Sequence, residues 1–200
     1  MAKKAEMVSD GKIRCGWCGN DPLYVKYHDE EWGQEVHDDK LLFEFLILEG
    51  AQAGLSWITI LRRRESYRKA FANFDVQQVA AFSENDFERL INDTGIIRNK
   101  SKIRSAITNA QSFIKVQEEF GSFEKYIWGF LTNKKPIINS AHSLKEIPPR
   151  SDLSDKISKD MKKRGFKFFG STICYAHMQA TGMVQDHIVT CHCYKTILDK

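Results

Sequence analysis

The chain has 200 residues, 42% of them hydrophobic and 28% charged, with a formal net charge of +4 at neutral pH. That apolar share supports a core in one compact domain or two small lobes and argues against disorder. No run approaches the roughly 18 apolar residues of a spanning helix, and no apolar stretch follows Lys3 and Lys4, so the chain reads as cytoplasmic, with a basicity that permits a polyanionic partner.

Apolar residues recur at helical rather than alternating spacing almost throughout, which predicts an all-α fold without strands. Asp39 to Ala53 reads as a nearly all-apolar, buried helix. Ser56 heads the next, to Phe71, whose apolar face takes Trp57, Ile60 and Leu61 and leaves Arg62, Arg63, Arg64 and Lys69 largely outside. Ser83 and Asp86 form a capping pair for a helix through Ile91; Lys100 to Phe120 and Ser122 to Leu131 follow. Pro136, Pro148 and Pro149 then punctuate a long connection over 132–153, the one candidate linker. Ser154 to Arg164 stops at Gly165, and Ser171 to Thr181 stops at Gly182. Trp128, Phe166, Phe168 and Phe169 carry no polar partner signal and are assigned to packing.

Five cysteines in a chain without export signals favour metal binding or free thiols over disulfides. Cys15, Cys18 and His28 lie near the start; His187, Cys191, His192 and Cys193 lie near the end. Zinc takes four such ligands, and a site drawing two from each end would tether tails that otherwise fray. Spacing does not choose the four: Cys15, Cys18, Cys191 and Cys193 serve as well as sets that include His28 and His187. His187 and Cys191 share a face if that segment is helical. Ordinary buried thiols are the alternative, and a redox CxxC is a third, lacking the βαβ surroundings it needs.

Glu49 follows Leu46-Ile47-Leu48 inside a stretch holding Tyr24, Tyr27, Trp32 and Trp57. A carboxylate buried there is costly unless it pairs or performs a task, and aromatic faces suit a flat cationic ring. The alternative is a solvent-facing Glu49 beside Gly50, with the aromatics in the core. Downstream, Thr94-Gly95-Ile96-Ile97-Arg98-Asn99-Lys100 joins two predicted helices and resembles a helix-hairpin-helix. Gly95 permits a tight turn, and Lys100, Lys102 and Arg104 flank a helix start that can meet a phosphate. The usual second glycine is absent, with Ile97 near its place, and a solvated charged face is the competing reading.

Taken together, the strings Arg14-Cys15-Gly16-Trp17, Asp21-Pro22-Leu23-Tyr24, Tyr27-His28-Asp29, Glu31-Trp32-Gly33, Leu48-Glu49-Gly50, Gln52 to Thr59, Thr94 to Arg98, Lys162 to Phe168, Thr172 to Tyr175 and Asp186-His187 closely resemble the type I 3-methyladenine DNA glycosylases of the helix-hairpin-helix superfamily. The likeness spans nearly the whole chain. It implies a DNA-repair hydrolase that flips 3-methyladenine out of double-stranded DNA and cuts its N-glycosidic bond. It implies Glu49 as the catalytic residue, with Tyr27 and Trp57 lining the base pocket and Trp17 and Trp32 close by. Gly95, Lys100 and Lys102 would meet the DNA. One structural zinc would be held by Cys15, His28, His187 and Cys191, with Cys18 and Cys193 outside the set. The expected layout is a single monomeric domain over 1–200, with residues 12–35 and 170–195 forming a zinc-clipped lobe and 83–120 the hairpin region.

Overall fold

Residues 6, 7 and 10–194 are described in the computed structural model. The ends of the expected 1–200 domain, and residue 195 of the expected C-terminal lobe, lie outside the described residues. Each predicted helical stretch is helical, one of them in two pieces, with boundaries set largely by caps. The apolar pattern missed helix α1 (Pro22–Glu30), although Asp21 accepts from the Leu23 and Tyr24 N–H groups and Pro22 occupies the first turn. Helix α2 (Asp39–Gln52) is capped by Asp38 on Leu41 N–H at 2.8 Å and is buried from Leu42 to Ala51. It packs against four later helices of the fold.

The helix expected over 56–71 is two, α3 (Trp57–Leu61) and α4 (Arg64–Ala70). Arg64 does not lie on the outer face. It is buried and paired with Glu44 of α2 and with Glu31, and Arg68 reaches Glu44 at 2.9 Å. An apolar helix carrying a buried carboxylate needs such cations, because a buried charge is tolerated only when paired. Ser56 stands at the cap position of α3, but its hydroxyl meets Thr59 Oγ1 at 2.7 Å rather than a backbone N–H.

A short helix α5 (Val76–Ala80) precedes α6 (Glu84–Asn92), which opens with the Ser83/Asp86 capping box. Helix α7 (Lys100–Phe120) has the expected limits, with Asn99 capping its start and Gly121 at φ 85° closing it. Helix α8 (Phe123–Trp128) is shorter than expected, and α9 (Asp152–Lys163) starts earlier because Ser151, not Ser154, is its cap. Helix α10 (Ser171–Ala180) gives way to Gly182 at φ 72°, where an added Cβ would come within 2.5 Å of the Gln34 carbonyl carbon.

Strands do occur. Strand β1 (Glu6–Met7) pairs antiparallel with β2 (Ile13–Arg14), and β3 (Ile137–Ile138) pairs parallel with β4 (Val184–Gln185). Pairs this short leave no alternation to read. Because β3 belongs to the 132–153 segment, that stretch is bonded to the body of the protein rather than free as a linker. Among the aromatics assigned to packing, Trp128, Phe166 and Phe169 are buried, whereas Phe168 is 39% exposed at φ 52°. No helix among the described residues is long and apolar enough to cross a membrane.

His177 on α10 is fully buried, with Nε2 3.4 Å from the Leu42 carbonyl and Nδ1 without a partner. Burial holds its pKa down near about 4, against 6.5 for an ordinary histidine. The unfolded chain therefore takes up a proton below 6.5 that the folded chain refuses, so stability is lost as pH falls through that window. From pH 8 to pH 5 the loss from this group is about 2 kcal/mol. Denaturant titration at the two pH values should show a smaller difference for His177→Leu than for the native chain.

Candidate active site

Helices α1, α2 and α3 bring Tyr27, Glu49 and Trp57 to one cavity of about 310 Å³. Trp17, Tyr24 and Trp32 complete an aromatic wall. The Tyr27 and Trp57 ring centroids are 5.4 Å apart with a 47° tilt, and Trp17 lies 5.0 Å from both Tyr24 and Trp32. All five residues expected at the base pocket thus line one cavity. The apolar run of α2 does carry its carboxyl inward: Glu49 is 3% exposed.

Two polar atoms there are buried without partners, Glu49 Oε2 and Trp57 Nε1. Removal from water, with no cation beside it, lifts the Glu49 pKa to about 8. Burial likewise pushes the Tyr27 hydroxyl well above its ordinary value. Pattern reading missed Gln52, Leu144, Ile147 and Gln179, which also line the cavity. Leu144 and Ile147 come from the supposed linker, whose apolar residues gave the only available signal. Gln179 donates from Nε2 to the buried Asp186 carboxylate at 2.7 Å, which also accepts from Tyr175 and Asn139. A carboxylate only accepts, so this contact fixes which end of the amide is nitrogen.

Behind the Trp17–Trp32 wall, Cys15, His28, His187 and Cys191 converge fully buried, with one ligand atom from each within 4.8 Å of the others. Sγ of Cys15 and of Cys191 lie 3.6 and 3.5 Å from His187 Nδ1, and Cys191 Sγ lies 3.6 Å from His28 Nε2. This group of two thiols and two imidazoles can hold a metal ion. Hydrogen bonds from Cys15 and Cys193 draw the Cys191 thiol far below the ordinary thiol range, while bonding to Cys191 raises the other two. His187 and Cys191 meet across a turn closed by Cys191 N–H on the Ile188 carbonyl at 2.8 Å, not along a helix. Asp29 takes a bidentate bond from Arg14 and meets His28 Nδ1 at 2.8 Å, which orients the ring.

The family profile described as methyladenine glycosylase matches residues 17–194. The DNA-3-methyladenine glycosylase 1 of Escherichia coli K12 is 51% identical over 181 residues, 90% of this chain and 96% of that protein. The DNA-3-methyladenine glycosylase of Haemophilus influenzae is 43% identical over 90% of this chain and 97% of its own. The chain belongs to the methyladenine glycosylase family. In solved form, 3-methyladenine DNA glycosylase I of Staphylococcus aureus, studied for its recognition of 3-methyladenine, matches this fold with TM-score 0.87 at 34% identity, covering 90% of this chain and 96% of that one.

In this methyladenine glycosylase chain the α6–α7 hairpin satisfies most of its own turn amides. Gly95 N–H donates to Asp93 Oδ1 at 2.7 Å and Ile97 N–H to the Tyr67 hydroxyl at 3.1 Å. Gly95 is needed for close approach, since a Cβ there would stand 2.8 Å from Ser66 Cβ. Arg104 is engaged by Glu84 at 2.8 Å, and Lys100 is exposed. Lys102 turns inward and donates to the Ala51 and Ala53 carbonyls at 2.9 and 2.6 Å, capping the end of α2. Lys102→Met should therefore cost about 1 to 2 kcal/mol of unfolding free energy, read by chemical denaturation. An unchanged stability would show that these contacts do not hold α2.

Proposed function

We propose that this chain is a DNA-repair hydrolase that releases 3-methyladenine from alkylated double-stranded DNA by cutting its N-glycosidic bond. The observation that carries the proposal is the pairing of an orphaned buried carboxyl, Glu49, with an orphaned indole N–H, Trp57, inside a cavity walled by aromatic rings. Both atoms bear an energetic cost that a flat, polar, cationic ligand relieves. The names and identities of the family's members support the same substrate. A non-catalytic DNA-binding module needs no opening beside Glu49, and the cavity argues against it.

The duplex would rest on the hairpin, where Gly95 lets the turn lie close to α4, Lys100 meets a phosphate, and the remaining hydrogen of Lys102 can reach a second. The damaged nucleotide leaves the stack, at lower cost because it pairs poorly, and its base enters the cavity. Tyr27 and Trp57 pack on the ring, with Trp17 and Trp32 behind them, and the Glu49 carboxylate accepts from the base's polar edge. Methylation leaves the base cationic in the nucleotide. Breaking the glycosidic bond hands the bonding electrons to the base and makes it neutral; water adds to the sugar carbon and its proton leaves to solvent. Glu49 thus selects and stabilises rather than protonating a leaving group.

Glu49→Gln should lower 3-methyladenine release from methylated DNA about 100-fold, the worth of one charge-assisted hydrogen bond. The free protein carries Glu49 mainly protonated at pH 7, because its pKa is about 8. A cationic base calls for the carboxylate, so kcat/KM should fall about tenfold per unit as pH drops below 8. In the glutamine variant that limb should vanish. A pH profile identical in both proteins would sink the assigned role.

Within a single domain, acting as a monomer in the cytoplasm, Cys15, His28, His187 and Cys191 would hold one structural zinc. Zinc–sulfur bonds of about 2.3 Å and zinc–nitrogen bonds of about 2.1 Å at tetrahedral angles call for sulfur–nitrogen edges of about 3.6 Å, close to the separations above. Four protein ligands leave no position for a reacting water, so the ion would cross-link residues 12–35 to residues beyond 170 and take no part in bond cleavage. Metal analysis should find one equivalent per chain. Cys191→Ser should lose it and melt about 10 °C or more lower, whereas Cys18→Ser and Cys193→Ser should keep it.

A further inference from the structure

Between α9 and α10 the segment Gly165 to Gly170 holds an aromatic ring in an unusual place. Phe166 and Phe169 are buried, but Phe168 between them is 39% exposed. Its φ of 52° puts an L-residue with a bulky side chain in the left-handed region, at a cost that its surroundings must enforce. The enforcement is visible. Asn109 of α7 clamps Lys167 from both sides, donating to its carbonyl at 2.9 Å and accepting its N–H at 2.8 Å. Ser158 holds the Phe169 carbonyl at 2.8 Å, and Phe166 N–H bonds the Met161 carbonyl at 3.0 Å. A strained, tightly held loop that turns its ring away from the core adds little to folding, so the presented ring has another use.

Its position says which. An added Cβ at Gly50 would touch the Phe168 carbonyl oxygen at 3.6 Å and its Cβ at 3.7 Å, so the loop lies on the turn of α2 immediately after Glu49. Lys102, from the start of α7, closes the same end of α2. Exposed Lys167 precedes Phe168, and Gly170, two residues beyond, is the cap position of α10, with no side chain capping the helix's first N–H groups. A cation and uncapped helix N–H groups suit backbone phosphate on either side of the ring, and an exposed aromatic face suits a nucleobase.

The geometry points to Phe168 as a stacking residue for DNA, its ring packing on a duplex base beside the extruded nucleotide while the damaged base occupies the Glu49 cavity. This rests on the glycosylase reading, but its binding test does not need catalysis. The probe is a duplex with a tetrahydrofuran abasic site flanked by 2-aminopurine. Phe168→Gly removes the ring and relaxes the positive φ together, so the protein should remain at least as stable as the native chain. Its duplex affinity should fall about 5- to 150-fold, the range for one lost base–aromatic stack, and the 2-aminopurine response should shrink. Phe168→Tyr should restore both, and binding of free 3-methyladenine should stay unchanged in each variant. Native-like duplex affinity and fluorescence in Phe168→Gly overturn the proposal, as does a parallel loss of free-base binding or of stability, which marks a structural residue. A native chain that binds the duplex through Phe168 yet frees no base would overturn the glycosylase reading alone.

Discussion

A carboxyl taken out of water with no cation beside it is among the least comfortable groups a protein can carry, and α2 carries two buried carboxyls that resolve the problem differently. Glu44 is paired with Arg64 and Arg68, so its charge is settled within the fold. Glu49, on the same buried helix, has no such partner and stays protonated near neutrality through desolvation alone. The contrast shows that the fold can supply arginines to α2 and withholds them at one position. What surrounds that position is rings, which exclude water without neutralising charge. The rest of the cavity keeps this carboxyl out of water and without a charged partner.

Keeping it dry requires three segments remote in sequence to hold still. Trp32 lies 4.6 Å from His187 and Trp17 lies 5.2 Å from His28, so the rings that wall the cavity also pack on the imidazoles of the Cys/His group. The third wall comes from Leu144 and Ile147, anchored through the β3–β4 pairing and the Asn139 bond to Asp186. A loop tethered this way just upstream of its wall residues acts as part of the scaffold.

Much of this was legible from residue order. Long helices with clear caps, such as α7 between Asn99 and Gly121, announce themselves because periodicity and local hydrogen bonding agree. The inward turn of Glu49 was half legible: three apolar residues precede it on a nearly all-apolar helix, but the neighbouring Gly50 left a solvent-facing carboxyl equally open. The short α1 was not, since its apolar content is low and its stability comes from the Asp21 cap and tertiary contacts. Arg64 misled because an arginine among arginines looks solvated, and its burial depends on Glu44, some twenty residues away. Phe168 misled for the opposite reason: two of the three phenylalanines in its segment are core, and only the backbone conformation singles out the third. The choice of four ligands among the cysteines and histidines came from likeness to known proteins, because spacing cannot see a turn like that between His187 and Cys191.

Tyr27 and His28 are consecutive residues of one nine-residue helix, and one faces the cavity while the other faces the Cys/His group. Each residue advances an α-helix by about 100°, so inserting or deleting a single residue upstream in α1 would swing both side chains off target at once. Neither group can be retuned by shifting this helix without disturbing the other. For anyone redesigning this cavity, α1 joins two constraints that move together, and the freedom to vary lies in the Leu144–Ile147 wall instead.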